Sequence, residues 1–207
     1  MEPLEVKQLL PPSVRKYLVQ VARESIVEYC TRGQKPTPRF PDPVCRMPRG
    51  VFVTLTRDEA LRGCIGLPWP VLPLEEATIE AAVQATRDPR FPPLTSAEVP
   101  HVRVEVSVLT VPEPVEAGQA LERVRVGRDG LIVRWGELQG LLLPQVAARY
   151  GWDAETFLAH TCRKAGLPAE AWRWPDVQIF TFQVEIIQEG EETLCYDVHS
   201  PSPWSSA

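Results

Sequence analysis

Proline sets the first limit on this chain. Twenty-two of its 207 residues are proline, roughly twice the usual share of about 5%. Five of them, Pro36, Pro38, Pro41, Pro43 and Pro48, fall within residues 34–50. Each lacks a backbone N–H and fixes φ, so the stretch forms neither regular helix nor central strand. It is too long for a simple connector, and so covers a sheet edge or lies over a site. Pro68, Pro70 and Pro73 mark a further turn, and Pro89, Pro92 and Pro93 stiffen another loop. Arginine outnumbers lysine, 18 to 4. Genome composition explains such biases, and so does thermal adaptation through rigid loops; both explanations stay open.

Between these breaks the pattern is that of short elements. Val14, Tyr17, Leu18, Val21, Ile26 and Tyr29 recur at helical spacing behind Pro12 and Ser13, and Gly33 stops that helix. Residues 50–56 are rich in β-branched side chains and read as a strand. Residues 57–60 turn, and residues 61–67 return as the second arm of a hairpin. Residues 74–86 read as a helix with Glu75 and Glu76 at the positive end of its dipole, and Asp88-Pro89 ends it. Over residues 102–111, Val102, Val104, Val106 and Val108 face one way, and Arg103, Glu105, Ser107 and Leu109 the other, as in a half-buried strand. A hairpin is expected over 124–134, turning at Asp129-Gly130, and then a meander with turns at Gly136 and Gly140. Pro144 opens a short helix. Asp153 caps another that ends at Gly166. Residues 176–187 form one late, central strand. Hairpins outnumber βαβ signals. The fold class is therefore α+β: a mainly antiparallel sheet with helices packed on it.

The formal charge of −5 and isoelectric point near 5.3 disfavour nucleic-acid binding, which needs a basic footprint. Residues 1–10 carry no apolar leader core, and no stretch approaches the ~18 apolar residues of a membrane span; a cytoplasmic protein is expected. Five cysteines at irregular spacing, without C-x-x-C, suit neither a disulfide framework nor a zinc ribbon. The three histidines, His101, His160 and His199, are too few for a His-rich metal site. No H-E-x-x-H, phosphate-binding loop, G-x-S-x-G or dinucleotide fingerprint occurs, and no metal or cofactor is expected.

Three segments could carry chemistry. In 62–66 (RGCIG), strand alternation puts Arg62 and Cys64 on one face, where a guanidinium would lower the thiol pKa. Gly63 and Gly66 would let a ligand come close. Equally, Cys64 is a small buried hydrophobe and the glycines permit tight packing. In 88–95 (DPRFPPLT), Asp88 and Arg90 either face a pocket or pair locally while Phe91 fills the core. In His160-Thr161-Cys162, residues two apart on a helix do not meet. Cys162 falls on the apolar stripe, and His160 is a candidate base only if another element brings a partner.

Taken together, LRGCIG at 61–66, DPRFPPLT at 88–95, VEVSVL at 104–109, GLLLPQVA at 140–147 and the W-D…F-L…C-x-K-A-G-L pattern over 152–167 resemble the AMMECR family. The segments stand in family order over roughly residues 12–188. The resemblance implies one domain over 1–188, with a larger and a smaller lobe; the tail over 189–207, with Pro201 and Pro203, lies outside the resemblance and reads as extended. It implies the family's RGC segment, here Arg62, Gly63, Cys64 and Gly66, as a candidate site. It also implies genomic linkage to a Memo-like protein and a radical-SAM protein, and so a shared modification pathway. Two functions follow. One is an enzyme, or enzyme component, acting on a small anionic or carbonyl substrate. Cys64 is its nucleophile, Arg62, Gly63, Gly66, Asp88 and Arg90 bind the substrate, and His160 assists. The other is a non-catalytic adaptor whose inter-lobe cleft takes a partner protein, with Trp69 and Trp172 as exposed anchors.

Overall fold

The computed structural model describes residues 10–190, so the proline-containing tail lies outside the described residues apart from its first two. In chain order the elements are α1 (Pro12–Arg32), β1 (Gly50–Arg57), β2 (Ala60–Leu67), α2 (Leu74–Ala85), β3 (Arg103–Leu109), β4 (Glu113–Val115), α3 (Ala120–Arg123), β5 (Gly130–Trp135), β6 (Leu138–Leu142), α4 (Pro144–Tyr150), α5 (Ala154–Lys164), β7 (Gln178–Phe182) and β8 (Val184–Gln188). They form two compact units. The larger holds residues 10–108 and 185–190, the smaller Leu109–Val184. The class is α+β, as the hairpin pattern indicates. No helix among the described residues is long and apolar enough to cross a membrane.

In the larger unit one sheet runs in the order β2-β1-β3-β8, with β1 and β2 antiparallel. Val51, Val53 and Leu55 of β1 and Val104, Val106 and Val108 of β3 are fully buried, in one cluster with Leu18, Ala22 and Ile26 of α1 and the alanines of α2. Burying each such aliphatic side chain is worth roughly 1.5–3 kcal/mol. Alternate residues lie on the other sheet face: Phe52 and Thr54 of β1, Cys64 of β2, Glu105 and Ser107 of β3, and Gln188 of β8. Between α1 and β1, residues 34–49 contain one turn of 3-10 helix, Pro43–Arg46. Beyond it, Pro48 bridges to Pro73.

The smaller unit holds the sheet β4-β7-β5-β6, antiparallel throughout. Its α5 is capped by Asp153, whose carboxylate accepts from the Thr156 N–H at 2.8 Å, and buries Phe157, Leu158 and Cys162. Three expectations change here. Residues 124–129 form no hairpin arm, because the buried Asp129 carboxylate closes a tight loop by accepting from the Arg125 N–H at 2.8 Å. Gly140 is no turn: it lies within β6, where a Cβ would sit 2.4 Å from the Ala165 nitrogen, so it admits α5 against the sheet. The late strand is two strands in two sheets. It breaks at Gln183, whose N–H and C=O are both taken by Thr110, through the Oγ1 and the N–H at 2.9 Å each.

Candidate functional site

Cys64 stands in the middle of β2, paired in register with Thr54 of β1. The Thr54 hydroxyl donates to the Cys64 Sγ at 3.2 Å. On the same sheet face Glu105 of β3 accepts from the Gln188 Nε2 of β8 at 3.0 Å. The four strands thus contribute Cys64, Thr54, Glu105 and Gln188 to one face. Two strand spacings, roughly 10 Å, separate the Cys64 and Glu105 strands. The Glu105 carboxylate is still close enough to oppose ionisation of the thiol.

Asp88 fixes the cysteine from behind. It follows the end of α2, where Pro89 forbids further helix. Its carboxylate accepts from the Cys64 N–H at 2.8 Å and, through both oxygens, from the Arg90 guanidinium at 3.0 and 2.6 Å. The Arg90 Nη2 also donates to the Cys64 C=O at 3.3 Å. Both backbone groups of Cys64 are therefore held by one ion pair. The Asp88 side chain is 1% exposed and that of Arg90 56%. Bonding to the Arg90 guanidinium, against the opposing effect of burial, holds the Asp88 carboxyl far below the usual carboxylate range.

Arg62 does not share the cysteine's environment. The β1–β2 register shifts between Leu55 and Thr56, leaving Arg62 as the extra residue of a bulge. A bulge re-aims its side chain, and Arg62 meets Glu98 instead, through Nε at 3.0 Å and Nη2 at 3.2 Å. Arg62 and Arg90 flank the Phe91 ring at 6.0 and 5.7 Å from its centroid. The expected depression of the thiol is overturned. Burial pushes the Cys64 thiol up; the Thr54 hydrogen bond and the Arg90 charge pull it back, while Glu105 and Asp88 add to the rise. Burial likewise raises Cys30, Cys45 and Cys162. It also raises Glu105, against the Gln188 amide.

The glycines admit protein. A Cβ on Gly63 would lie 2.3 Å from the Ala85 carbonyl of α2, and one on Gly66 2.3 Å from the Val51 carbonyl. Their missing side chains let α2 and β1 approach β2. His160 belongs to the smaller unit, stacked on Trp152 at 3.9 Å between ring centroids. Trp172 is 6% exposed and part of that unit's core, so it is no exposed anchor; Trp69 is half-buried. Among the described residues no group of three or more His, Cys, Asp or Glu is disposed to hold a metal ion.

The AMMECR1 family model matches residues 19–187. The chain belongs to the AMMECR1 family. A protein of Thermococcus gammatolerans is 50% identical over 184 residues, 84% of this chain and 89% of that protein. One of Methanothermobacter thermautotrophicus is 52% identical over 179 residues, 83% and 92% of the two chains. The crystal structure of uncharacterized protein PH0010 from Pyrococcus horikoshii matches with a TM-score of 0.81 at 45% identity, over 88% of this chain and 94% of that one. Within this AMMECR1 chain, sequence reasoning missed Thr54, Glu98, Glu105 and Gln188. Glu105 carried a signal, since glutamate is depleted in mid-strand. Gln188, three strands away from Cys64, carried none.

Proposed function

We propose that this AMMECR1-family protein is a thiol-dependent enzyme, or a component of one, acting in the cytosol on a small carbonyl substrate. Cys64 is the nucleophile. The observation that carries the reading is that the Asp88–Arg90 pair holds both backbone groups of a half-buried cysteine whose sulfur accepts from the Thr54 hydroxyl, on a sheet face that also carries Glu105. Arg90 takes the supporting role first given to Arg62. The step is addition: the sulfur–carbon bond forms and the carbonyl π pair moves to oxygen. The thiol proton ends on that oxygen, giving a thiohemiacetal without oxidant or co-reactant. The family resemblance supports action alongside the Memo-like and radical-SAM proteins. Alkylation of each cysteine in the folded chain, read by peptide mass spectrometry, tests the reading. Cys64 reacting ahead of Cys30, Cys45 and Cys162 supports it; Cys64 reacting only after unfolding rejects it.

One observation favours the adaptor reading. Trp135 and Leu138, opposed across the β5–β6 hairpin, are 43% and 42% exposed, and exposed tryptophan is typical of interface anchors. Co-purification with the Memo-like protein that is lost in Trp135→Ala and kept in Cys64→Ser selects this reading; the reverse pattern selects the enzyme.

A further inference from the structure

The charges around Cys64 do not make an anion pocket. Arg90 is matched by Asp88, and Arg62 by Glu98. Among the described residues Glu105, on the same sheet face two strands from Cys64, has no cationic partner, only the Gln188 amide. It stands half-buried in mid β3, where both strand preference and desolvation disfavour it. Among the described residues it accepts one hydrogen bond, from Gln188 to Oε2; Oε1 accepts none. Thr54, on the strand between, turns its hydroxyl to the sulfur. The face therefore carries a nucleophile on β2, a carboxylate on β3 and, on the strand between those two, the small Thr54 side chain.

We infer that Glu105 is the specificity-determining residue of the Cys64 face, selecting uncharged carbonyl compounds that carry an N–H or O–H donor and rejecting anionic ones. The donor bonds Oε1 while the carbonyl carbon lies over Thr54, within reach of the sulfur. A carboxylate or phosphate on the substrate meets like charge there, with both nearby guanidiniums already paired. The inference rests on the thiol-dependent reading above.

Two alkylating probes of similar size isolate the charge effect: neutral iodoacetamide and anionic iodoacetate. Rates at Cys64 are read by peptide mass spectrometry on the folded full chain at one pH, with N-acetylcysteine amide in the same tube as reference. In the wild-type protein the iodoacetate-to-iodoacetamide rate ratio at Cys64 lies below the reference and rises with added salt, as screening weakens the repulsion. Glu105→Gln raises that ratio at least about threefold. An unchanged ratio in Glu105→Gln, with alkylation itself intact, overturns the inference and leaves the thiol reading standing. If that variant does not fold, the wild-type salt series decides: a ratio equal to the reference and flat in salt also overturns it. If Cys64 reacts with neither probe until the protein unfolds, the thiol reading falls and this inference with it.

Discussion

Arg62 and Asp88 both pair with an opposite charge, yet they act differently. The Arg62 guanidinium, with help from Thr95, holds the Glu98 carboxyl down to about 2, against an ordinary 4.5. A carboxyl depressed in the folded state contributes stability that is fully present above its unfolded value. That contribution is lost as pH falls through the folded value, here between about 4.5 and about 2. Arg62→Ala therefore moves the Glu98 titration part of the way back up, followed by carboxyl NMR, and narrows the acid loss of stability. Because Arg62 sits at the bulge and away from the thiol, the same variant leaves Cys64 alkylation unchanged. Asp88→Ala behaves otherwise. It strips the Cys64 N–H of its acceptor, and a buried donor left unsatisfied costs about 1–3 kcal/mol. Urea unfolding gives that loss, and Cys64 alkylation changes with it because the strand around the sulfur loosens.

The proline-rich stretch shows what a whole element requires. Prolines remove donors, so residues 34–50 cannot fix themselves by a backbone ladder. They are held instead by Glu75, a 1% exposed carboxylate in the first turn of α2. It accepts from the Arg39 and Phe40 N–H groups at 2.8 and 2.6 Å and from the Tyr17 hydroxyl of α1 at 2.6 Å. Its position suggested a dipole partner; its role is also to pin a loop between two helices. Burial and the Glu75 bond raise the Tyr17 phenol to about 12, so Tyr17 stays a donor at neutral pH. Tyr17→Phe removes a hydrogen bond to a charged group and costs about 1.5–3 kcal/mol in urea unfolding. Gly63→Ala tests the packing of α2 on β2. The Ala85 carbonyl blocks the new methyl at 2.3 Å, and backbone cannot swing aside as a side chain does. A loss of about 1–3 kcal/mol is expected, with a wild-type unfolding midpoint the outcome that rejects it.

For the whole molecule, a charge of −5 gives no electrostatic attraction to phosphate backbones. A gel shift at low salt, where such attraction is strongest, is expected to show no retarded DNA or RNA. The larger features of the fold were legible because they depend on local rules. Alternation marked Val104, Val106 and Val108 as core; helical spacing did the same for Val14, Leu18, Val21 and Ile26; caps at Gly33 and Asp153 ended or began helices where backbone geometry demands. Cys162 read as core for the same reason. The chain alone thus determined the α+β class, the β1–β2 hairpin and the family. Tertiary structure decided the site. Alternation placed Arg62 beside Cys64, but one bulge sent it to Glu98, and a register shift between strands leaves no mark in a residue pattern. Spacing could not reveal that burial would outweigh the nearby positive charge at the thiol, since desolvation depends on everything packed around a group. Nor could it show that Thr54, Glu105 and Gln188, from three other strands, meet on the cysteine's face. Local sequence fixes periods and caps over a few residues; which side chains share a sheet face is settled only when distant strands pair.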